Sequence, residues 1–209
     1  MRVFIDGENL RHRIAQVLWE ERLIDAHDQP FNFDVTKLLT TVLGQGPEEI
    51  AYYTSHVKLP DFEIPEKLIH KIASIQEQNR RWIAQLTNNG VNVIKAGNLK
   101  VQDSPRCLHC GKRSQILQEK GVDVRFATDI VLAGTRDKVM HMVVLSSDAD
   151  MIPALEVVRA AGVKVTYLCF GEETNHAVAQ NVDQTVSYSR QDIVNVFKHR
   201  EAAPHETTA

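Results

Sequence analysis

The sequence predicts a three-layer α/β/α fold around a mostly parallel sheet. Two observations predict it. Short apolar runs of strand length alternate with segments whose apolar residues recur at helical spacing, the pattern of a parallel sheet covered on both faces. The 209 residues are 43% hydrophobic and 24% charged, which is enough apolar material for one core. No internal repeat and no linker divides the chain.

Val3 to Ile5 is the first strand, running straight into Asp6-Gly7-Glu8-Asn9. Leu10 to Trp19 follows as a helix with Leu10, Ile14, Val17 and Leu18 on one face. Phe33-Asp34 leads into a helix ending near Leu43, with Gly44 and Gly46 as stop signals. Ile50 to Tyr53 is the second strand. A long helix starts near Pro65, carries Leu68, Ile69, Ile72, Ile75, Trp82, Ile83 and Leu86, and ends at Asn88-Asn89-Gly90. Val91 to Ile94 is the third strand, and residues 96–120 are polar without clear periodicity. Gly121 to Ala133 is a helix, Met140 to Leu145 a fourth strand, residues 150–160 a helix, and Val163 to Leu168 a fifth strand. Trp19, Trp82 and Phe126 are expected in the core. Residues 199–209 read as a polar, frayed tail after a domain spanning 1–198.

The net charge of −3 gives no global basic field, although acids gathered at one site would hide a local basic patch. Three cysteines are an odd number, and two of them form Cys107-Leu108-His109-Cys110, so this is not a secreted disulfide framework. The start shows no signal peptide, and no apolar run is long enough to span a bilayer. A cytoplasmic protein that makes no membrane contact is expected.

In parallel α/β sheets ligands bind beyond the carboxyl ends of the strands, at a switch point in strand order. Asp6, Glu8 and Asn9 follow the first strand. Ser146-Ser147-Asp148-Ala149-Asp150 follows the fourth. Asp123 and Asp129 lie on the helix before that strand. Converging carboxylates repel unless protons or a cation neutralise them. Oxygen-only ligands favour Mg²⁺ or Mn²⁺ over Zn²⁺, and such a cation lowers the pKa of bound water and clamps phosphoryl oxygens. A plainer role is also open. Asp148 and Asp150 can equally serve as helix N-caps, and Asp6 can belong to an Asp-Gly turn. Asp129 reads first as a solvated helix residue.

Phe4-Ile5-Asp6-Gly7-Glu8-Asn9, Glu119-Lys120-Gly121-Val122-Asp123-Val124 and Leu145-Ser146-Ser147-Asp148-Ala149-Asp150 together resemble the signature blocks of the NYN domain, in the LabA-like branch of the PIN-like ribonuclease superfamily. The resemblance covers roughly residues 1–190. It implies a PIN-like, Rossmann-like three-layer sandwich with a small polar hairpin-like insert at about 96–120. It also implies a metal-dependent ribonuclease site. Asp6, Asp123 and Asp148 would be the principal Mg²⁺ or Mn²⁺ ligands, and Asp150 a fourth acid. Asn9 would orient a ligand or the scissile phosphate. Asp129 sits at a commonly acidic position, and with Ser146 and Ser147 would support the ligands from behind. The family's usual Ser-Gly-Asp-Ser-Asp reads here Ser-Ser-Asp-Ala-Asp, which keeps the carboxylates but alters the turn.

The segment before Asp123 holds Lys95, Lys100, Arg106, Lys112, Arg113 and Lys120 against only Asp103 and Glu119. It can hold phosphates of single-stranded RNA with salt-dependent affinity, or simply be a solvated loop. Cys107 and Cys110, followed by Gly111, have the shape of half a zinc knuckle. Reduced thiols are the expectation there, with Zn²⁺ shared across a homodimer and a redox-sensitive pair as the alternatives. Cys169 reads as core and His56 as a surface histidine. Tyr52 and Tyr53 either close the second strand or touch RNA. The reading that follows is a metal-dependent endoribonuclease acting on single-stranded RNA by attack of metal-activated water. Its competitor is a non-catalytic RNA-binding or regulatory module that keeps the fold.

Overall fold

The structure is a computed structural model that describes residues 1–25, 28–58 and 62–201. Of the expected C-terminal tail, residues 202–209 lie outside the described residues. The elements run β1 (Arg2–Asp6), α1 (Gly7–Glu20), α2 (Val35–Leu43), β2 (Glu49–Val57), α3 (Glu66–Asn88), β3 (Asn92–Asp103), β4 (Gln115–Lys120), α4 (Val122–Thr135), β5 (His141–Leu145), α5 (Ile152–Ala160), β6 (Lys164–Phe170), α6 (His176–Gln180), β7 (Gln184–Tyr188) and α7 (Arg190–Glu201).

One seven-stranded sheet has the order β4-β3-β2-β1-β5-β6-β7. Every neighbouring pair is parallel except β3 with β4. From β1 the chain steps outward through β2 and β3, then returns to place β5 on the other side of β1. The switch in strand order therefore falls between β1 and β5.

The layers follow from strand alternation, because successive side chains point to opposite faces. Val3, Ile5, Tyr52 and Leu145 pack with α1, α2, α3 and α7. Phe4, Tyr53, Val144 and Tyr167 pack with α4, α5 and α6. The two apolar clusters are the two interfaces of a sandwich, as the alternating pattern predicts. Cys169 is core, as expected.

Three features differ from expectation. First, the hairpin-like stretch at 96–120 is no separate insert but an extension of the main sheet: β3 continues to Asp103 and pairs antiparallel with β4. Beyond Leu99 the two strands of the hairpin pair with each other away from the rest of the sheet, so its side chains remain mostly exposed and carry little apolar alternation. Second, β7 and the flanking helices α6 and α7 complete the sheet beyond the fifth predicted strand. Third, Trp19 is 51% exposed and not core. Val17 and Leu18 already occupy the buried stripe of α1, and the next position turns about 100° away from it. Trp82 and Phe126 are buried as predicted.

Candidate functional site

The carboxyl ends of β1 and β5 lie side by side, with Ile5 paired to Leu145. Their next residues deliver Asp6 and the Ser146–Asp150 loop to one edge. Asp6 caps α1, accepting from the Asn9 backbone N–H at 3.3 Å. Its other oxygen accepts from the Ser146 hydroxyl at 3.3 Å. Ser146 in turn accepts the Asp148 N–H at 3.2 Å. Asp148 caps the following turn through the Asp150 N–H at 2.9 Å. The Asn9 side-chain amide donates to the Ser147 hydroxyl at 2.6 Å. Capping is thus real for Asp6 and Asp148, and the same contacts fix both acids at the edge. Asp150 is exposed beside them.

Gly7 lets this edge form. A Cβ there would stand 2.2 Å from the Tyr53 carbonyl oxygen and 2.3 Å from the Tyr52 ring. The Gly7 carbonyl accepts the Tyr52 hydroxyl at 2.5 Å, and that hydroxyl accepts the Trp82 indole N–H at 2.8 Å. Tyr52 and Tyr53 are both buried, so they close the strand and offer no ring to RNA.

Asp123 arrives by way of the hairpin. Strand β3 keeps pairing with β2 as far as Val57 opposite Leu99 and then runs on past the sheet. Strand β4 comes back and ends with Lys120 opposite Asn98. Gly97, with φ of +68°, lets the two backbones meet: a Cβ there would lie 2.4 Å from the Lys120 carbonyl oxygen. Helix α4 then starts at the edge with Asp123 in its first turn.

The acids feel one another. Burial, then the charges of Asp123 and Glu8, push the Asp6 carboxyl above its ordinary range, against the pull of its hydrogen bonds. The Asp123 carboxyl is raised by partial desolvation and by Asp148 and Asp150. Glu119, at the end of β4, is raised by burial and by Glu8, Asp123 and Asp6, while a hydrogen bond with Ser55 lowers it. Glu8 accepts from Thr54 at 3.3 Å and pairs with Arg11 at 3.0 Å. Arg11 continues to Asn79 of α3 at 2.5 Å.

Asp123 acts electrostatically on Asp6, and Asp148 and Asp150 act on Asp123, while Asn9, Ser146 and Ser147 tie the two loops. Asp129 stands apart. It is held by Arg125 at 2.8 Å and by the Tyr53 hydroxyl at 3.0 Å, at a pocket lined also by Arg2 and Arg136. Neither Glu119 nor Arg11 follows one of the strands that the apolar runs mark, so the sequence gives them no place at the site. Glu119 would have been found had β4 been recognised, since it sits at that strand's carboxyl end.

Hard carboxylate oxygens are the right donors for Mg²⁺ or Mn²⁺. Their spacing is not that of a formed metal site: among the described residues no three His, Cys, Asp or Glu side chains stand where they could hold one ion. The residues as placed make a concentrated negative edge held by caps. Such an edge can hold protons tightly and can repel or position an anionic chain.

The basic residues lie along the hairpin. Lys95, Lys100, Arg106, Lys112, Arg113 and Lys120 are all exposed. Among the described residues none of the six is in an ion pair, whereas Arg2, Arg11, Arg13, Arg80, Arg125, Arg136, Arg159 and Arg190 each hold a carboxylate. Beside them a groove of about 310 Å³ opens between β2, α3 and β3, lined by Ser55, His56, Lys58, Asn79, Arg80 and Lys95 among others. Cys107 and Cys110 are free thiols at the exposed hairpin tip. Among the described residues no helix is long and apolar enough to cross a membrane.

A parallel sheet with an acidic switch point, flanked by helices on both faces, defines a Rossmann-like domain of the PIN-like kind. The family model of the NYN domain matches residues 1–189, and the chain belongs to that family. The fold is similar to the crystal structure of a protein of unknown function from Vibrio parahaemolyticus, with a TM-score of 0.55 and 14% identity over 89% of this chain and 90% of the other. No curated protein matches the chain in sequence.

Proposed function

We propose that the chain is an RNA-binding, regulatory NYN module that holds single-stranded RNA along the β3–β4 hairpin and across the acidic edge. One observation carries this reading: six exposed cations, none of them in an ion pair among the described residues, stand on a hairpin that projects from the same edge as the carboxylates. Phosphates would take the place of the missing counter-charges, so affinity would fall steeply with salt. The groove beside Lys95 and His56 is large enough to accept a nucleotide on the way. The form of the three motif blocks supports placement in the LabA-like branch. We assign the working domain to 1–198, with α7 running on to Glu201, and the cytoplasm as its compartment.

A second reading has its own support. Burial and then neighbouring carboxylates raise the proton affinity of Asp6, Glu119 and Asp123, with Asp123 acting on Asp6 and Glu119, and Asp148 and Asp150 acting on Asp123, the electrostatic condition that a bound cation relieves. On that reading the chain is a metal-dependent endoribonuclease using Mg²⁺ or Mn²⁺, with Asp6, Asp123, Asp148 and Asp150 as ligands and Asn9 on the scissile phosphate. Among the described residues no three donors stand together around one point, which ranks this reading second.

One experiment separates them. Labelled single-stranded RNA is incubated with wild type and Asp148→Asn, with Mn²⁺, with Mg²⁺ and with EDTA, and binding and cleavage are read together. Salt-sensitive binding that survives EDTA and Asp148→Asn, with no cutting under any metal, supports the binding module. Metal-dependent cutting by wild type alone would overturn it in favour of the nuclease. No binding under any condition would remove both readings for that substrate.

A further inference from the structure

The hairpin tip holds a second arrangement that the acidic edge does not use. Cys107 and Cys110 are separated by two residues and followed by Gly111, whose φ of +69° turns the chain back on itself. The turn is closed by the Gly111 N–H on the Cys107 carbonyl at 2.8 Å and the Cys107 N–H on the Lys112 carbonyl at 2.9 Å. Below it, the Ser104 N–H reaches the Ser114 carbonyl at 2.7 Å and the Ser114 N–H reaches the Ser104 hydroxyl at 3.0 Å. Hydrogen bonding from Cys110 and His109 holds the Cys107 thiol below its ordinary range. The two cysteines therefore share one closed, preorganised turn. That is how a C-x-x-C pair presents two thiolates to a tetrahedral soft cation.

We propose that Cys107 and Cys110 form one half of a tetrathiolate zinc site, completed by the same two cysteines of a second copy of this chain. Each chain would release two thiol protons and supply two Zn–S bonds. Among the described residues nothing completes the coordination: the third cysteine, Cys169, is 3% exposed in the core, and no third ligand joins the pair. Structural zinc takes four ligands, and two copies of one tip related by a two-fold axis supply them.

Two further observations select a second copy. Leu108, between the cysteines, is fully exposed, and meeting tips would cover both leucines. The charge is complementary in sign. Zinc with four thiolates carries −2, and each tip brings Arg106, Lys112 and Arg113, none of them in an ion pair among the described residues. Without the metal, two such basic tips repel. The dimer is thus conditional on zinc, and the cations that face RNA in the reading above would partly face the metal centre instead. The inference does not depend on RNA binding.

The test uses the full reduced chain with Zn²⁺ alone, wild type beside Cys107→Ser and Cys110→Ser. Both positions are exposed, and circular dichroism checks that the variants stay folded. The expected result is one zinc retained per two chains after dialysis and a doubling of molar mass by light scattering. EDTA should reverse both, and either variant should lose both. Co²⁺ in place of Zn²⁺ should give the strong visible bands of tetrahedral thiolate coordination. Failure to retain zinc, one zinc per chain with unchanged mass, or a dimer that persists in both variants would each overturn the proposal.

Discussion

Asn9 and Ser147 lie 138 positions apart in the chain, and the Asn9 amide donates to the Ser147 hydroxyl at 2.6 Å. This bond joins the first turn of α1 to the loop after β5, the two segments that carry Asp6 and Asp148. Asn175 grips the same loop from the far side, its amide donating to the Ser147 carbonyl at 2.8 Å. A double-mutant cycle with Asn9→Ala and Ser147→Ala should give a coupling of about 0.5–1 kcal/mol, the low range for a solvent-facing hydrogen bond. Strictly additive urea-denaturation energies would show that the two loops are held independently.

Gly7→Ala should be destabilising although alanine is the better helix former. The added methyl would meet the Tyr53 carbonyl and the Tyr52 ring, both of them fixed in the core. Overpacking of this kind costs roughly 1–3 kcal/mol. Equilibrium unfolding followed by Trp82 fluorescence should show the lower midpoint. A neutral or stabilised variant would mean that α1 and β2 can move apart at no cost.

The edge carboxylates should hold stability back at neutral pH. Asp6 and Asp123 have raised proton affinity in the folded state, Asp6 through burial and then Asp123 and Glu8, Asp123 through desolvation and then Asp148 and Asp150. The folded chain therefore binds protons more tightly than the unfolded chain. The resulting stabilisation is full below about pH 3.9, the unfolded aspartate value, and is lost as pH rises through the raised folded value. Asp6→Asn keeps a capping oxygen and removes the charge. It should raise Tm at pH 7 by ~2–4 °C, corresponding to about 1 kcal/mol, and the gain should shrink toward pH 4. A gain that is constant with pH would point to a cause other than the buried charge.

Lys112→Ala with Arg113→Ala should weaken single-stranded RNA binding and flatten its salt dependence. Each lost phosphate contact should reduce the slope of log K against log salt by about 0.7. Fluorescence anisotropy across a salt series measures this. An unchanged slope would take the hairpin out of the RNA path.

Much of the fold was legible because burial leaves a periodic mark. Strands β1, β2 and β5 are apolar runs, and α1 and α3 show their stripes, since both faces of the sheet are covered. The same mark was present at the C-terminal end, in the alternation of Gln184–Tyr188 and in Ile193, Val194, Val196 and Phe197 of α7, and was not read. The β3–β4 hairpin left almost none, because its side chains face water on an edge. Its strands are held by backbone pairing, which the sequence does not write.

The candidate site divides along the same line. By itself the sequence determined which acids follow strands, and hence that Asp6 and Asp148 emerge at one edge beside the switch point. Only the tertiary structure decided that Asp123 reaches that edge by the return of β4, that Glu119 joins it, and that Asp129 is turned away to Arg125 and Tyr53. Strand order is local in its signals, because each run announces its own burial. The meeting of side chains from distant segments depends on register, on close backbone approach at Gly7 and Gly97, and on which partner satisfies each charge. Those are properties of the packed chain.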